Sequence, residues 1–157
     1  MESEADLQKA LASACRFLAR RAYSHEELKA RLLQKGFSAA AIAYALDTLA
    51  RRGYLNDEET ALQWAGSLVK NRCWGRDKIR AYLFRKGIAP EIIDRVQRTV
   101  WQDHDESAVA RNVLKKHFAR AAEEPSLAKK ARFLKARGFS AGVIYRCLNI
   151  SIDTTDE

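Results

Sequence analysis

The chain has 157 residues, a formal net charge of +8 and 47% hydrophobic residues, with only two prolines and seven glycines. So few prolines and glycines argue against a long disordered linker, and no apolar run reaches the length that spans a membrane. Because no strand-like alternation and no signal-peptide pattern are present either, we expect a cytoplasmic, all-α protein with no membrane segment.

A segment built from a helix, a glycine turn and a second helix recurs three times along the chain. Its anchors Gly36, Gly87 and Gly138 are equally spaced (87 − 36 = 51; 138 − 87 = 51). A leucine precedes each glycine by four residues, and an isoleucine follows it by six. A further apolar stripe precedes each segment, which adds a third helix. The spacing predicts three tandem three-helix, helix-turn-helix-like repeats that form an elongated, curved array.

The first predicted repeat covers residues 7–52. Ser24 with Glu27 three residues later has the pattern of a capping box, and Ser38 is an expected N-cap. Gly53 is then expected to end a helix in a further turn, so that a short, stiff connection leads to the second repeat. Asn56 or Asp57 is expected to cap the next helix. The predicted helices of this repeat are Leu7–Arg21, Ser24–Lys35 and Ser38–Arg52.

The second predicted repeat covers residues 55–101 and the third covers residues 106–150. In the second repeat, Ile79 and Leu83 lie on one apolar helical stripe, and Gly87 follows where the helix ends. In the third repeat, Ser140 is an expected N-cap. Residues 151–157 are acidic and are expected to form a mobile tail. The predicted helices of the second repeat are Asp57–Asn71, Gly75–Lys86 and Pro90–Trp101.

Basic residues are concentrated in two segments. The segment from Lys70 to Lys86 has seven basic residues and one acid, and the segment from Lys129 to Arg137 has five basic residues and no acid. Recurring clusters predict a positive strip that suits a polyanion or an acidic groove of a partner protein, although a solvated helix face is the alternative for each cluster. The candidate contact residues are Arg72, Arg76, Lys78, Arg80, Arg85, Lys86, Lys130, Arg132, Lys135 and Arg137.

Nothing in the sequence points to catalysis. The three histidines are scattered, and no nucleophile–base pair, metal-ligand cluster or nucleotide-binding fingerprint is present. Cys15, Cys73 and Cys147 lie far apart, and we expect Cys15 and Cys147 to act as small packing residues in a reducing cytosol. We therefore expect no catalytic residue, no metal and no cofactor.

Direct nucleic-acid binding is the alternative function. A helix, a glycine turn and a helix with basic flanks also outline a helix-turn-helix reader of DNA. The predicted second helices, Ile42–Arg52 and Glu91–Arg98, are however poor in side chains that read base edges. Trp74 and Tyr82 suit either ordinary packing or stacking on single-stranded bases. Non-specific binding to single- or double-stranded DNA therefore stays open.

The assembled motifs resemble the RecX family, regulators of the RecA recombinase, over about residues 7–150. The chain departs from the family pattern at Asn56, where aspartate is usual, and at Thr60, where an aromatic residue is common. The resemblance implies a protein that lies in the groove of the RecA filament, touches adjacent protomers and depresses ATP turnover and strand exchange. We expect the protein to be a monomer. The motifs that carry it are Tyr23-Ser24, Glu27-Leu28, Lys35-Gly36, Gly53-Tyr54-Leu55, Asp57, Trp64, Arg72, Gly75, Ile79, Leu83, Arg85-Lys86-Gly87-Ile88, Lys115-Lys116-His117-Phe118, Arg132-Phe133-Leu134 and Arg137-Gly138-Phe139.

Overall fold

The structure, a computed structural model, describes residues 2–149. All regular secondary structure in this range is helical, which confirms the all-α prediction. Every helix within it is too short or too polar to cross a bilayer. The predicted tail, residues 151–157, lies outside the described residues, as does Ile150 at the end of the third predicted repeat. The helices are α1 Glu4–Arg20, α2 His25–Gln34, α3 Ala39–Arg51, α4 Asp57–Ser67, α5 Arg76–Arg85, α6 Pro90–Asp103, α7 Glu106–His117, α8 Leu127–Ala136 and α9 Ala141–Leu148.

Short-range capping fixes the helix starts that the sequence predicts. The Ser24 side chain accepts from the Glu27 backbone N–H, and the Glu27 carboxylate accepts from the Ser24 N–H, so the predicted capping box is present. Ser38 and Ser140 cap α3 and α9 in the same way, each accepting from the N–H three residues later. The Asn56 side chain caps α4, with its Oδ1 3.1 Å from the Glu59 nitrogen.

Two helix boundaries differ from the prediction by about one helical turn, and α6 ends at Asp103, two residues later than predicted. Helix α1 begins at Glu4, because the side chain of Ser3 accepts from the Asp6 N–H and caps the helix one turn earlier than the apolar stripe suggests. Helix α4 ends at Ser67 and continues as a π-helical turn, Leu68–Arg72. Cys73 then ends this turn in the left-handed region with φ of 51°, a conformation that non-glycine residues seldom adopt.

The four glycines expected to form turns all have positive φ: 86° at Gly36, 77° at Gly53, 79° at Gly87 and 90° at Gly138. After each of Gly36, Gly87 and Gly138, the next residue donates its N–H to the carbonyl five residues back, as in Phe37 to Leu32. We call the turns at Gly36, Gly87 and Gly138 the first, second and third glycine turns.

The chain divides into two compact units. Unit 1 comprises Met1–Gln63 and Leu83–Asp94, and unit 2 comprises Trp64–Tyr82 and Arg95–Glu157. The helix order is consistent with three sets of three helices, and the predicted repeat boundaries and elongated shape stay predictions.

Each unit has its own apolar core. In unit 1, α1, α2 and α3 pack together through buried residues such as Ala14, Leu28 and Ile42. In unit 2, α7, α8 and α9 pack around residues such as Leu134 and Phe139, which are almost fully buried. These two three-helix cores hold the turns at Gly36 and Gly138 in place, since Phe37 and Phe139 pack into them.

Candidate partner-binding surface

In unit 2, the start of α5 docks against the third glycine turn. The Gly75 N–H donates to the Arg137 carbonyl at 2.8 Å, and the Asp77 N–H donates to the Gly138 carbonyl at 2.9 Å. The turn thus satisfies N–H groups at the helix start that have no partner within the helix. A Cβ on Gly75 would lie 2.6 Å from the Gly138 backbone, and a Cβ on Gly138 would overlap Lys78. We call this arrangement the unit 2 contact.

Three of the candidate basic residues converge at the unit 2 contact. Lys78 Nζ lies 4.4 Å from the centre of the Trp74 ring and donates to the Ala136 carbonyl at 3.4 Å. Arg137 Nη1 donates to the Arg72 carbonyl at 2.7 Å. The contact therefore brings the side chains of Lys78 and Arg137 together with the backbone of Arg72, although Arg72 and Arg137 are 65 residues apart in the sequence.

Arg132 and Lys135 add exposed charge on α8. They line a cleft of about 450 Å³ beside α8 and α9, together with Phe139, Tyr145 and one acid, Asp77 of α5. Tyr145 is more than one third exposed, so the cleft has an accessible aromatic edge beside its cations. This combination of apolar floor and basic rim suits a partner segment that carries both apolar and acidic side chains.

Two other candidates in unit 2 are engaged by acids of the same unit. Arg76 is half-buried, with its Nε 3.6 Å from a Glu106 carboxylate oxygen and its guanidinium 5.7 Å from the Trp101 ring centre. The Lys130 ammonium pairs with the exposed Glu124. Local pairing reduces the charge that these side chains offer to a partner. Arg80 is exposed on α5.

The last two candidates, Arg85 and Lys86, belong to unit 1. Arg85 is exposed at the end of α5. Lys86 Nζ instead lies 2.8 Å from a Glu27 carboxylate oxygen, and the Lys86 carbonyl accepts a hydrogen bond from the Ser24 hydroxyl. The other Glu27 oxygen lies 3.1 Å from Arg21 Nη1. The start of α2 thus docks against the second glycine turn, and we call this arrangement the unit 1 contact.

The two cations control the ionisation of Glu27. Burial alone would raise the pKa of this carboxyl, but hydrogen bonds from Lys86 and Arg21 outweigh burial and lower the pKa below its ordinary value. The pKa of Arg21 is raised in turn, because pairing with Glu27 outweighs the opposite effect of burial. Lys86 therefore holds the unit 1 contact together, a role that the sequence reasoning did not assign to it.

Sequence reasoning also missed Gln97, a side chain that is 1% exposed. Its Nε2 donates to the Arg76 carbonyl at 2.7 Å, and its Oε1 accepts from Trp101 Nε1 at 2.7 Å. A glutamine between the buried Val96 and Val100 on the apolar stripe of α6 is the signal that could have identified it. Buried side-chain amides require hydrogen-bond partners.

The cysteines differ in part from the prediction. Cys73 is buried and Cys147 is half-buried, where desolvation raises the pKa of the Cys147 thiol against the opposing charges of Arg111 and Lys130. Cys15 was predicted to be a packing residue and is exposed, because it lies one residue past the buried Ala14 and so points off the apolar stripe of α1.

Family models, relatives and solved structures agree on what the chain is similar to. The model for the first three-helix domain of RecX matches residues 10–49, and the model for the second matches residues 56–96. The protein named regulatory protein RecX in Trichlorobacter lovleyi is 33% identical over 84% of this chain and 88% of its own length. Its namesake in Chromohalobacter salexigens is 37% identical over 80% of this chain and 82% of its own length. The crystal structure of RecX from Lactobacillus salivarius has the same fold, with a TM-score of 0.84, 18% identity and coverage of 94% of this chain and 97% of that one. The chain therefore belongs to the RecX family of regulatory proteins.

Proposed function

We propose that the protein regulates the RecA recombinase in DNA repair and homologous recombination, mainly as an inhibitor. It would act as a cytoplasmic monomer that lies in the groove of the RecA–DNA filament, across adjacent protomers, and depresses ATP turnover and strand exchange. Family membership carries this proposal. The exposed Arg72, Arg132 and Lys135 of unit 2 supply a surface for an acidic partner.

Several weak contacts on one chain suit a filament partner. Once one part of the protein binds, the effective concentration of the next part at its neighbouring protomer rises, so modest contacts add up to firm binding. A regulator that bridges protomers stabilises one of their relative arrangements. It can then oppose a reaction cycle that requires protomers to move relative to each other.

The structure changes the order in which we rank the candidate contacts. We expect the exposed Arg132 and Lys135 to contribute most to binding, because no acid of the described residues pairs with either side chain. Arg76 and Lys86 pair with Glu106 and Glu27, so substituting them would destabilise the fold as well as change the surface charge.

The direct test is a titration of RecA ATPase and strand exchange with the wild-type chain and with the double variant Arg132→Glu/Lys135→Glu. We expect the variant to require at least about tenfold more protein for half-inhibition, which corresponds to about 1.4 kcal/mol of lost binding. Its thermal unfolding should be unchanged. The matched control Lys29→Glu/Arg52→Glu reverses two exposed cations outside the candidate set and should inhibit normally. Absence of any effect of saturating wild-type protein on RecA would refute the proposal.

Direct binding to DNA is the second candidate function, supported by the basic residues that flank Trp74 in the sequence and by Lys78 over its ring. This ring already packs edge-on against Tyr82, with 5.9 Å between ring centres, and lies under Lys78, which favours packing over base stacking. Binding to bare DNA at several salt concentrations distinguishes the functions, because each phosphate contact adds about 0.7 to 0.9 to the log–log slope. Tight, steeply salt-dependent binding without RecA would favour the alternative.

A further inference from the structure

The unit 1 and unit 2 contacts are built on the same plan. Each docks the first turn of a helix against a glycine turn, and the participating residues are equivalent in the 51-residue spacing: Ser24 with Gly75 (75 − 24 = 51) and Lys86 with Arg137 (137 − 86 = 51). In each contact, the residue that precedes the helix donates a hydrogen bond to the carbonyl of the basic residue before the glycine.

The absence of a side chain on the glycine is necessary for both contacts. A Cβ on Gly87 would lie 2.5 Å from Glu26 Cβ in the first turn of α2. A Cβ on Gly138 would overlap Lys78 in the first turn of α5. The second and third glycine turns are therefore docking sites for the start of a helix.

The first glycine turn has the same construction without a docked helix. Lys35 and Gly36 are equivalent to Lys86 and Gly87 (86 − 35 = 51), and Gly36 has the same left-handed conformation, with φ of 86°. Its N–H donates to the Leu33 carbonyl at 2.9 Å, just as the Gly87 N–H donates to the Phe84 carbonyl at 3.0 Å. A Cβ on Gly36, however, would meet no atom of the described chain within 4 Å.

The first glycine turn borders a basic cleft of about 240 Å³, which lies between the turn and α1. The cleft has three cations and no acid, and two phenylalanine rings supply its apolar part. Three like charges around a small cleft favour an anionic occupant. Its lining residues are Ser13, Arg16, Phe17, Arg20, Lys35 and Phe37.

We propose that the first glycine turn is a docking site for the first turn of an α-helix from a partner protein. The fitting helix has serine or glycine at its N-cap and a carboxylate at its third position, as α2 does with Ser24 and Glu27. The N-cap group donates to the Lys35 carbonyl, and the carboxylate pairs with the Lys35 ammonium and the neighbouring arginines. The same groups satisfy the free N–H donors and the positive dipole end of the incoming helix.

Charge argues against one helix start of a second copy, that of α8, as the occupant. The equivalent helix start of the third predicted repeat is that of α8, which has Ser126 at its N-cap but no acid in its first turn. Lys129 stands where α2 has Glu27 (129 − 27 = 102, twice the repeat spacing). Docking of α8 would therefore bring Lys129 against Lys35, Arg16 and Arg20, and like charges disfavour that pairing.

The test uses the full-length, isotopically labelled chain and a synthetic peptide. The peptide begins with Ser-His-Glu-Glu-Leu, the start of α2, and alanine-rich turns extend it to about 15 residues so that it is helical. Backbone NMR signals of Lys35, Gly36 and Phe37 should shift on titration, whereas a peptide that begins with Ala-His-Gln-Gln-Leu should leave them in place. Shifts confined to other surfaces, or none at millimolar peptide, would overturn the proposal.

Two pairs of variants separate docking from folding. Gly36→Asn and Gly53→Asn introduce the same side chain at open, positive-φ glycines, and asparagine tolerates that conformation. Lys35→Glu and Arg52→Glu reverse the C-cap cations of α2 and α3. We expect Gly36→Asn and Lys35→Glu each to weaken peptide binding at least about tenfold, a loss of about 1.4 kcal/mol. The control variants Gly53→Asn and Arg52→Glu should have no effect on peptide binding. Equal weakening by both members of either pair would contradict the docking site.

The peptide titration does not involve RecA, so its result is separate from the outcome of the RecA assays. Sedimentation of the wild-type chain over a range of concentrations adds one more comparison. Self-association that Gly36→Asn abolishes would show that a second copy occupies the site, and would overturn the assignment to a partner protein.

Discussion

Replacing Glu27 with glutamine tests the unit 1 contact most directly. The carboxylate accepts from Lys86 Nζ at 2.8 Å, from Arg21 Nη1 at 3.1 Å and from the Ser24 N–H at 3.4 Å. Glutamine has nearly the same shape and retains one acceptor oxygen, so Glu27→Gln removes the negative charge with little change in packing.

We expect Glu27→Gln to lower the free energy of unfolding by about 1–2 kcal/mol at neutral pH. Hydrogen bonds between charged groups contribute about 1.5–3 kcal/mol in buried sites. The Lys86 side chain is 29% exposed and that of Glu27 is 18% exposed, so solvent screening moves the expected value to the lower part of that range.

The effect should depend on pH in a defined direction. Because the folded protein lowers the pKa of Glu27, the ionised carboxylate stabilises the fold above its unfolded pKa, near 4.5. This stabilisation is lost as the pH falls through the lower folded value. The difference between the wild type and Glu27→Gln should therefore be full at neutral pH and shrink in acid.

Urea unfolding followed by circular dichroism at neutral and at acidic pH measures both quantities. The control is Glu26→Gln, which neutralises an exposed carboxylate of the same helical turn and should change stability by no more than about 0.5 kcal/mol. An equal loss for the two variants, or a Glu27→Gln loss that persists unchanged in acid, would refute the account of the unit 1 contact.

Two further substitutions test unit 2 by urea unfolding. Gly75→Ala should lower the free energy of unfolding by about 1–3 kcal/mol or more, because its Cβ would lie 2.6 Å from the backbone of Gly138. The control is Gly66→Ala, whose Cβ meets nothing within 4 Å and which should stabilise α4 by about 0.5–1 kcal/mol. Unchanged stability of Gly75→Ala would show that Gly75 does not lie close to the Gly138 backbone. Gln97→Leu should lower the free energy of unfolding by about 2 kcal/mol, since it leaves a backbone carbonyl and an indole N–H without their partner. Tryptophan fluorescence should report the change, and an unchanged unfolding midpoint would contradict the burial of this amide.

Local chemistry made much of this fold predictable. The capping box at Ser24 and the turn at Gly87 depend on residues within one helical turn, so their patterns are visible in the sequence. The π-helical turn and the left-handed Cys73 were not predictable, because the segment lacks the glycine that usually marks such a conformation. The equal spacing of the glycines also predicted which positions are equivalent.

The basic surface was predictable in composition and not in arrangement. Sequence shows that Lys86 and Arg137 are basic, but the acid that pairs with Lys86 is Glu27, 59 residues away, and Arg137 reaches a carbonyl 65 residues away. Such distances along the chain leave no local pattern. A run of cations therefore overstates the number of charges available to a partner.

Equivalent positions nevertheless indicate how the charges are divided between folding and binding. The basic residue before each glycine turn is Lys35, Lys86 or Arg137, and in the second and third turns its carbonyl accepts a hydrogen bond from a docked helix start. Lys35 has the same place in the first turn, which holds no helix start within the described residues. A feature that two turns use to join parts of the same chain is, in the remaining turn, free to join the chain to another protein. The helix starts that occupy the second and third glycine turns therefore predict which kind of helix start the first glycine turn binds.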